Sequence, residues 1–321
     1  MGKFIKIALS IAIGLILFGG VLFVGAMTVN GWDFTKLGTI KYVTHTHEIS
    51  DNFQDISIIS DTTDVTFVKS DDGSAKVVCF VEEKISNSVA VINGVLNIKV
   101  VDERKWYEQI GINFNSSKMT VYLPETQYQT LKIDSSTSDV EIPNAFSFSS
   151  VDVSLSTGDV KFSASVSEQL KIKISTGDIY LENTSVGSLD VSGTTGDIKV
   201  VSTSCAADAK IKVSTGKVKL TDVTCKSIVG DGSTGDFVLK NVIASEKLSI
   251  KLGTGDVSFD RCDAAEIYVK TSTGDVKGSF RSDKSFFTES DTGHINVPKG
   301  TAGGRCEITT GTGDIKIEIL Q

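Results

Sequence analysis

The chain has 321 residues and a formal net charge of −8, and this length is enough for one or two domains with a substantial core. The acidic balance and the lack of a basic stripe argue against a nucleic-acid partner. Histidine, with 3 residues, is too rare for most histidine-based catalysis or metal binding, and no cofactor is expected.

The N-terminus carries a long apolar run. The run from Ile7 to Val29 contains 23 residues and no charge, and at about 1.5 Å per residue it can span a hydrocarbon core of about 30 Å. Lys3 and Lys6 precede it. The positive charges predict a cytoplasmic stub at residues 1–6, a transmembrane helix at 7–29, and an extracellular remainder.

The expected location is therefore the bacterial cell membrane, crossed once, with residues 30–48 as a juxtamembrane linker. A cleaved signal peptide is the alternative, with Val24 and Ala26 as a small-residue cleavage site. The apolar run is long for a signal peptide, which favours a retained anchor.

A repeat fills the C-terminal two thirds of the chain. Ten positions recur at intervals of 19 or 20 residues, and nine of them hold glycine. They are Ser138, Gly158, Gly177, Gly196, Gly216, Gly235, Gly255, Gly274, Gly293 and Gly313. Such regularity is the signature of a repeat architecture.

Apolar and polar residues alternate on both sides of each glycine, as Ile172, Ile174, Ile179 and Leu181 do around Gly177. This pattern predicts strand, tight turn and strand in each repeat. Two short strands cannot enclose a core alone, so successive repeats must stack in parallel. The sequence predicts an all-β protein whose residues 131–321 form a parallel β-solenoid of about ten coils. A right-handed coil is expected, and the rod is roughly 45–50 Å long at about 4.8 Å per coil.

The triplet Thr-Gly-Asp recurs at these turns, either as a turn device or as a repeated binding site. Glycine allows positive φ, and an outward Asp carboxylate can accept hydrogen bonds from nearby backbone N–H groups. By strand alternation, the Thr before each glycine is expected to point inward, and ice binding by a Thr column is set aside on that ground.

The alternative is a calcium ladder on the Asp column. The candidate ligands are Asp159, Asp178, Asp197, Asp236, Asp256, Asp275 and Asp314. Lys217 and His294 interrupt the column, and Lys161, Lys199, Lys277 and Lys316 on the same outward face can neutralise it without metal. No metal site is therefore expected, and the turn interpretation is preferred.

Residues 49–130 are less regular and are expected to form an irregular β region that caps the open end of the solenoid. Within it, Ile56–Val68 echoes the repeat as an early coil, and Asn93-Gly94 predicts a hairpin.

Five cysteines without a CxxC motif argue against a zinc site or a disulfide framework. Cys205 and Cys225 each stand nine residues after a turn glycine, so the repeat stacks them in neighbouring coils. Their spacing permits a disulfide. Parallel neighbours nevertheless orient Cβ atoms side by side, and two free buried thiols are expected.

Two stretches, "VYLPETQYQTLKIDSSTSDVEI" (Val121–Ile142) and "LKIKISTGDIYLENTSVGSLDVSGTTGDIKV" (Leu170–Val200), resemble a bacterial adhesin-like family of unknown function, the β-strand-repeat proteins. The likeness extends over residues 121–321. Members often carry one N-terminal membrane helix, and the resemblance implies an architecture without catalytic residues.

The function expected from these features is a membrane-anchored, extracellular, non-enzymatic module of the cell envelope that acts in adhesion or scaffolding. Its partners would be wall polymer or another envelope protein. The alternatives are a calcium-binding repeat module and a polysaccharide-processing enzyme. Such an enzyme needs two carboxylates about 5–10 Å apart in a cleft, and the coils contain no insertions to build one.

Overall fold

A computed structural model describes residues 2–33, 40–102, 104–105, 115–300 and 302–320. Helix α1 covers Lys3–Val29 and has a mean hydropathy of 2.7. Within the described residues it is the one helix long and apolar enough to cross a membrane. It begins one turn before the apolar run, and its Ser10 and Thr28 hydroxyls donate to backbone carbonyls one turn earlier, at 2.9 and 2.8 Å.

The described residues after α1 form 24 strands in one continuous sheet. The strands are β1 (Tyr42–Ile49), β2 (Asp55–Ser60), β3 (Thr63–Lys69), β4 (Ala75–Glu82), β5 (Ser86–Ile92), β6 (Val95–Val101), β7 (Ser117–Leu123), β8 (Gln127–Thr137), β9 (Val140–Ile142), β10 (Ser147–Thr157), β11 (Val160–Phe162), β12 (Ser165–Thr176), β13 (Ile179–Glu182), β14 (Ser185–Thr195), β15 (Ile198–Cys205), β16 (Asp208–Thr215), β17 (Val218–Thr234), β18 (Phe237–Thr254), β19 (Val257–Thr273), β20 (Val276–Phe280), β21 (Lys284–Thr292), β22 (Ile295–Asn296), β23 (Gly304–Thr312) and β24 (Ile315–Ile319).

The predicted parallel β-solenoid is confirmed, with about nine turns. Like strands of successive coils pair in parallel and in register, so Val160, Ile179 and Ile198 form one inward column. Each of these side chains is at most 1% exposed. Stacking thus supplies the apolar contacts that two short strands lack.

The turn glycines are packed too closely for any side chain. Gly177 has φ +134°, and a Cβ placed on it would lie 2.0 Å from the carbonyl oxygen of Gly158 in the preceding coil. The same contact recurs at each repeat glycine from Gly158 to Gly313, at 1.9–2.1 Å. Both the positive φ and the close approach therefore require glycine.

A second corner lies six residues after the turn glycine in the central coils. Here non-glycine residues adopt the left-handed region, with φ between 47° and 54°. They are Asn183, Ser202, Asp222, Asn241 and Arg261. Short polar side chains tolerate this region best, which explains four of the five.

The expected inward orientation of the Thr column is wrong: all ten Thr residues are exposed. In the coil of Gly177, both Ser175 and Thr176 face solvent, and the ladder passes from the Ile174–Gly193 pair directly to the Thr176–Thr195 pair. The strand bends at this corner before the turn. The bend breaks the period-two alternation on which the expectation rested.

The stack does not follow chain order at either end. At the start, β2 lies between β6 and β8, and β3 lies between β7 and β9. At the other end, β23 lies between β19 and β21, and β24 lies between β20 and β22. The last strands in sequence are therefore enclosed by neighbours on both sides, while β21 and β22 form the outermost coil.

The residues before this stack differ from the expected linker at 30–48, because β1 (Tyr42–Ile49) pairs antiparallel with β4. The side chains of β1 are exposed or half-buried. Because the strand buries little apolar surface, it lacks the alternating apolar pattern by which a strand is predicted from sequence. The early coil is present as β2 and β3, and the predicted hairpin is present as β5 and β6.

Candidate functional site

The Asp column runs along one edge of the rod and acts as a hydrogen-bond ladder. In each turn that carries Asp, the carboxylate Oδ1 accepts the backbone N–H of the equivalent residue in the next coil, as Asp178 does from Asp197 at 2.7 Å. Nine such bonds lie between 2.7 and 3.2 Å, and all seven candidate ligands serve as acceptors. Asp64 begins the column, a member that the sequence reasoning missed because Thr63 stands in place of glycine.

Lysines adjoin this ladder. Lys217, which interrupts the column, places its Nζ 3.3 Å from Asp236, and the Lys277 Nζ lies 3.9 Å from both Asp256 and Asp275. Over the described residues, no group of three or more His, Cys, Asp or Glu side chains is arranged to hold a metal ion. With one oxygen of each carboxylate bonded to backbone, the triplet has the geometry of a turn device.

The exposed Thr column lies beside the Asp column and runs the same length. Thr137, Thr157, Thr176 and Thr195 stand in register on successive coils. Their exposure removes the ground on which ice binding was set aside. The carboxylate two residues further on, at Asp178 for example, still places charge beside eight of the ten hydroxyls; Lys217 and His294 stand at the other two places.

All five cysteines are buried and unpaired. Cys205 and Cys225, the thiol pair, hydrogen-bond to each other across neighbouring coils, and this bond together with burial raises the pKa of Cys225 far above its usual range. Burial raises the pKa of Cys79 and of Cys262 to about 11 and that of Cys306 to about 12. Because the thiolate is the reactive form, Cys79, Cys225, Cys262 and Cys306 are inert at neutral pH, whereas the bond with Cys225 lowers the pKa of Cys205.

A cavity of about 660 Å³ lies near the C-terminal end of the stack and includes Asp263, Ser282 and Lys284 in its lining. The Lys284 side chain is 3% exposed, and its Nζ donates to Asp263 Oδ1 at 2.6 Å, Ser282 Oγ at 2.7 Å and the Ala264 carbonyl at 2.8 Å. Three acceptors match the three donors of an ammonium group. The amine is therefore a structural clamp rather than a nucleophile or base.

A second cavity of about 370 Å³ crosses several coils in the first half of the solenoid. Its floor is made of small residues, among them Ser147, Ser165, Ser185 and Gly187, and no carboxylate is in its lining. It therefore lacks the acid–base pair that hydrolysis of a glycosidic bond requires.

Solved structures from Bacteroides fragilis and Parabacteroides distasonis are similar to this chain. A candidate adhesin from Bacteroides fragilis is 16% identical over 87% of this chain and 97% of its own, with a TM-score of 0.43. A candidate lipid-binding protein and a candidate adhesin, both from Parabacteroides distasonis, are 13% and 12% identical. They cover 87% and 85% of this chain and 97% and 98% of their own, with TM-scores of 0.45 and 0.44.

No significant match occurs among curated proteins. The profile of one family, described as Toastrack DUF4097, matches residues 53–318. The match begins just before β2 and ends within β24, and so includes both ends of the stack. Since it extends over more than half of the sequence, the chain belongs to the Toastrack DUF4097 family.

Proposed function

We propose that the chain is a single-pass membrane protein of the bacterial cell envelope whose solenoid lies outside the cell and binds a partner without catalysis. The observation that carries this proposal is the uniform rod. From β8 to β20 the described coils close through the same turns, with no inserted loop to wall a catalytic cleft. The buried polar groups described above serve the fold, which leaves the outer surface for interaction.

The helix supplies the proposed attachment. Helix α1 is 27 residues long and separated from the sheet by a short stretch, so the solenoid would stand close to the membrane. Lys3 and Lys6 at its start favour a cytoplasmic N-terminus. Wall polymer and other envelope proteins are the proposed partners.

Two measurements test the attachment. The intact mass of membrane-extracted protein should correspond to a retained helix, whereas a species beginning at Met27 would show a cleaved signal peptide. External protease added to intact cells should remove a C-terminal tag while sparing a cytoplasmic marker, and protection of the tag would contradict the extracellular location.

Binding is tested with the full chain in detergent and purified wall polymer. Cosedimentation should occur with the folded protein and be lost after heat unfolding. The calcium and enzyme alternatives each have a readout in the same preparation. Calcium binding would raise the melting temperature on addition of the ion, and a polysaccharide-processing enzyme would release new reducing ends from the polymer.

A further inference from the structure

The two ends of the solenoid differ in how their edges are covered. At the N-terminal end, the antiparallel strand β4 closes against β7, and β1 closes against β4. The inward residues of β4, Val77, Cys79 and Val81, are each 0% exposed. This end of the core is therefore sealed by β4, which runs against the direction of the stack, and by β1 beyond it.

The opposite end has no such cover among the described residues. There β21 pairs only with β23, and β22 pairs only with β24. Ile295 occupies the core column of Val276 and Ile315. It is 44% exposed, whereas the other two are 0% exposed. The apolar interior of the tube thus ends open, beside a row of unpaired backbone groups.

This outermost coil is held firmly rather than frayed. Lys284, at the start of β21, reaches past the intervening coil to Asp263 and the Ala264 carbonyl. Gly303 and Gly304 lie in the coil between, where they place no side chain in its way. A fixed strand with unpaired N–H and C=O groups is a preorganised template for another strand.

We propose that the occupant of this open end is the same end of a second copy, so that two solenoids join tip to tip. Identical edges related by a two-fold axis pair antiparallel, and the contact closes after two copies. When the nine-residue strand β21 (Lys284–Thr292) of one copy pairs along its full length with β21 of the other, Thr288 lies on the two-fold axis. In this register the inward residues of one copy continue the core of the other.

Charge complementarity supports this register. With Thr288 on the axis, Glu289 of one copy faces Phe287 of the other. Phe287 is 51% exposed, and the Arg305 guanidinium lies 4.5 Å from its ring centroid. Each Glu289 carboxylate therefore meets a guanidinium of the second copy, one that also bonds Glu307 of its own chain at 2.8 Å, and Asp291 meets the neutral Ser285. No like charges oppose each other along the strand.

The inference rests on the proposed interaction role and names its partner as a second copy. Strand β1, which follows α1, lies at the opposite end of each stack from β21 and β22, and at 4.8 Å per coil the two ends are about 50 Å apart. Two anchored copies would therefore meet through their membrane-distal tips.

The test uses the full chain in detergent, with mass measured by sedimentation under density-matched conditions. Wild-type protein should sediment with the mass of two chains. Ile295→Lys should give one chain with an unchanged melting temperature, because a lysine at the open end can still reach water when no partner covers it. Ile92→Lys, at a somewhat more exposed site (57% against 44%) in the N-terminal cap, is the control and should remain a dimer.

Charge reversal tests the register. Glu289→Lys should weaken the dimer, and adding Arg305→Glu to the same chain should restore it. A monomeric wild type, or a dimer unaffected by Ile295→Lys, would overturn the inference. A wild-type monomer that still cosediments with wall polymer would overturn the inference and leave the proposed envelope function intact, so the two failures are distinguishable.

Discussion

Replacement of Gly177 by valine probes whether the Thr-Gly-Asp triplet is a turn device. The new Cβ would lie 2.0 Å from the Gly158 carbonyl oxygen and 2.6 Å from its carbonyl carbon, so backbone must move. A β-branched residue at φ +134° adds strain of about 1–3 kcal/mol. Displacing one or two ladder hydrogen bonds adds about 1 kcal/mol each. We expect a total destabilisation of about 2–5 kcal/mol.

The Asp178→Ala variant should be much milder. It removes the acceptor of one bond, the 2.7 Å contact from the Asp197 N–H, and Asp178 is exposed, so water can replace the lost acceptor. The loss is therefore about 1 kcal/mol, and it is reduced further by the relief of repulsion within the column. Ser175→Val, on the exposed neighbour of the same turn, is the control for added bulk and should lie within about 0.5 kcal/mol of wild type.

Thermal unfolding followed by circular dichroism checks these values. For a chain of this size, about 1 kcal/mol corresponds to a shift of about 2 °C. Gly177→Val should therefore lose about 4–10 °C, and Asp178→Ala about 2 °C. Equal losses for the two variants, or a loss for Ser175→Val as large as that for Gly177→Val, would refute the reasoning that ties the glycine to the close approach of coils.

The cysteines, Lys284 and the half-buried Asp102 each lead to a further expected outcome. Iodoacetamide should modify all five cysteines of unfolded, unreduced protein, and protection of the thiol pair until a reductant is added would instead establish a bridge. In the folded protein at pH 8, a pKa of about 11 at Cys79 leaves only about 0.1% of this thiol as thiolate. In a urea titration, Lys284→Met should lower the free energy of unfolding by about 3–5 kcal/mol, because it leaves the Asp263 carboxylate without its cation. Lys270→Met, at an exposed site, is the control and should be nearly neutral. The hydrogen bond from Arg104 lowers the pKa of Asp102 below its usual 3.8, so the ionised carboxylate stabilises the fold above that pH and this stabilisation is lost as the pH falls below it. The stability difference between wild type and Asp102→Asn should therefore be constant from about pH 7 to pH 5 and shrink toward pH 3. A difference that grows on acidification would contradict this.

Much of the architecture could be predicted from spacing alone. A 19–20-residue period with alternating apolar residues leaves parallel stacking as the way to bury both strands, and the helix follows from the uncharged run behind Lys3 and Lys6. Glycine at the turn and the bonding of the Asp carboxylate to backbone were also predictable, because each follows from local backbone chemistry.

Side-chain direction at the corner was not predictable in the same way. The inward orientation expected for Thr176 assumed unbroken alternation, and the bend between Ile174 and Thr176 overrides it. Nor does strand propensity reveal that Gly230 and Gly232 stand where larger residues would strike the Phe237 ring, with a Cβ placed 2.6 and 2.9 Å from it respectively. Such compensation depends on packing between coils.

The repeat, the strand–turn–strand coil, the apolar helix and the turn chemistry are thus all readable from the sequence, since these depend on residues close together in the chain. The order of the coils at the two ends, the reach of Lys284 across a coil to Asp263, and the open core at Ile295 emerge only in the folded protein. These features depend on which coil lies next to which. A strand with the same alternating pattern can pair with any neighbour in a parallel stack, so its place is selected by packing between distant segments.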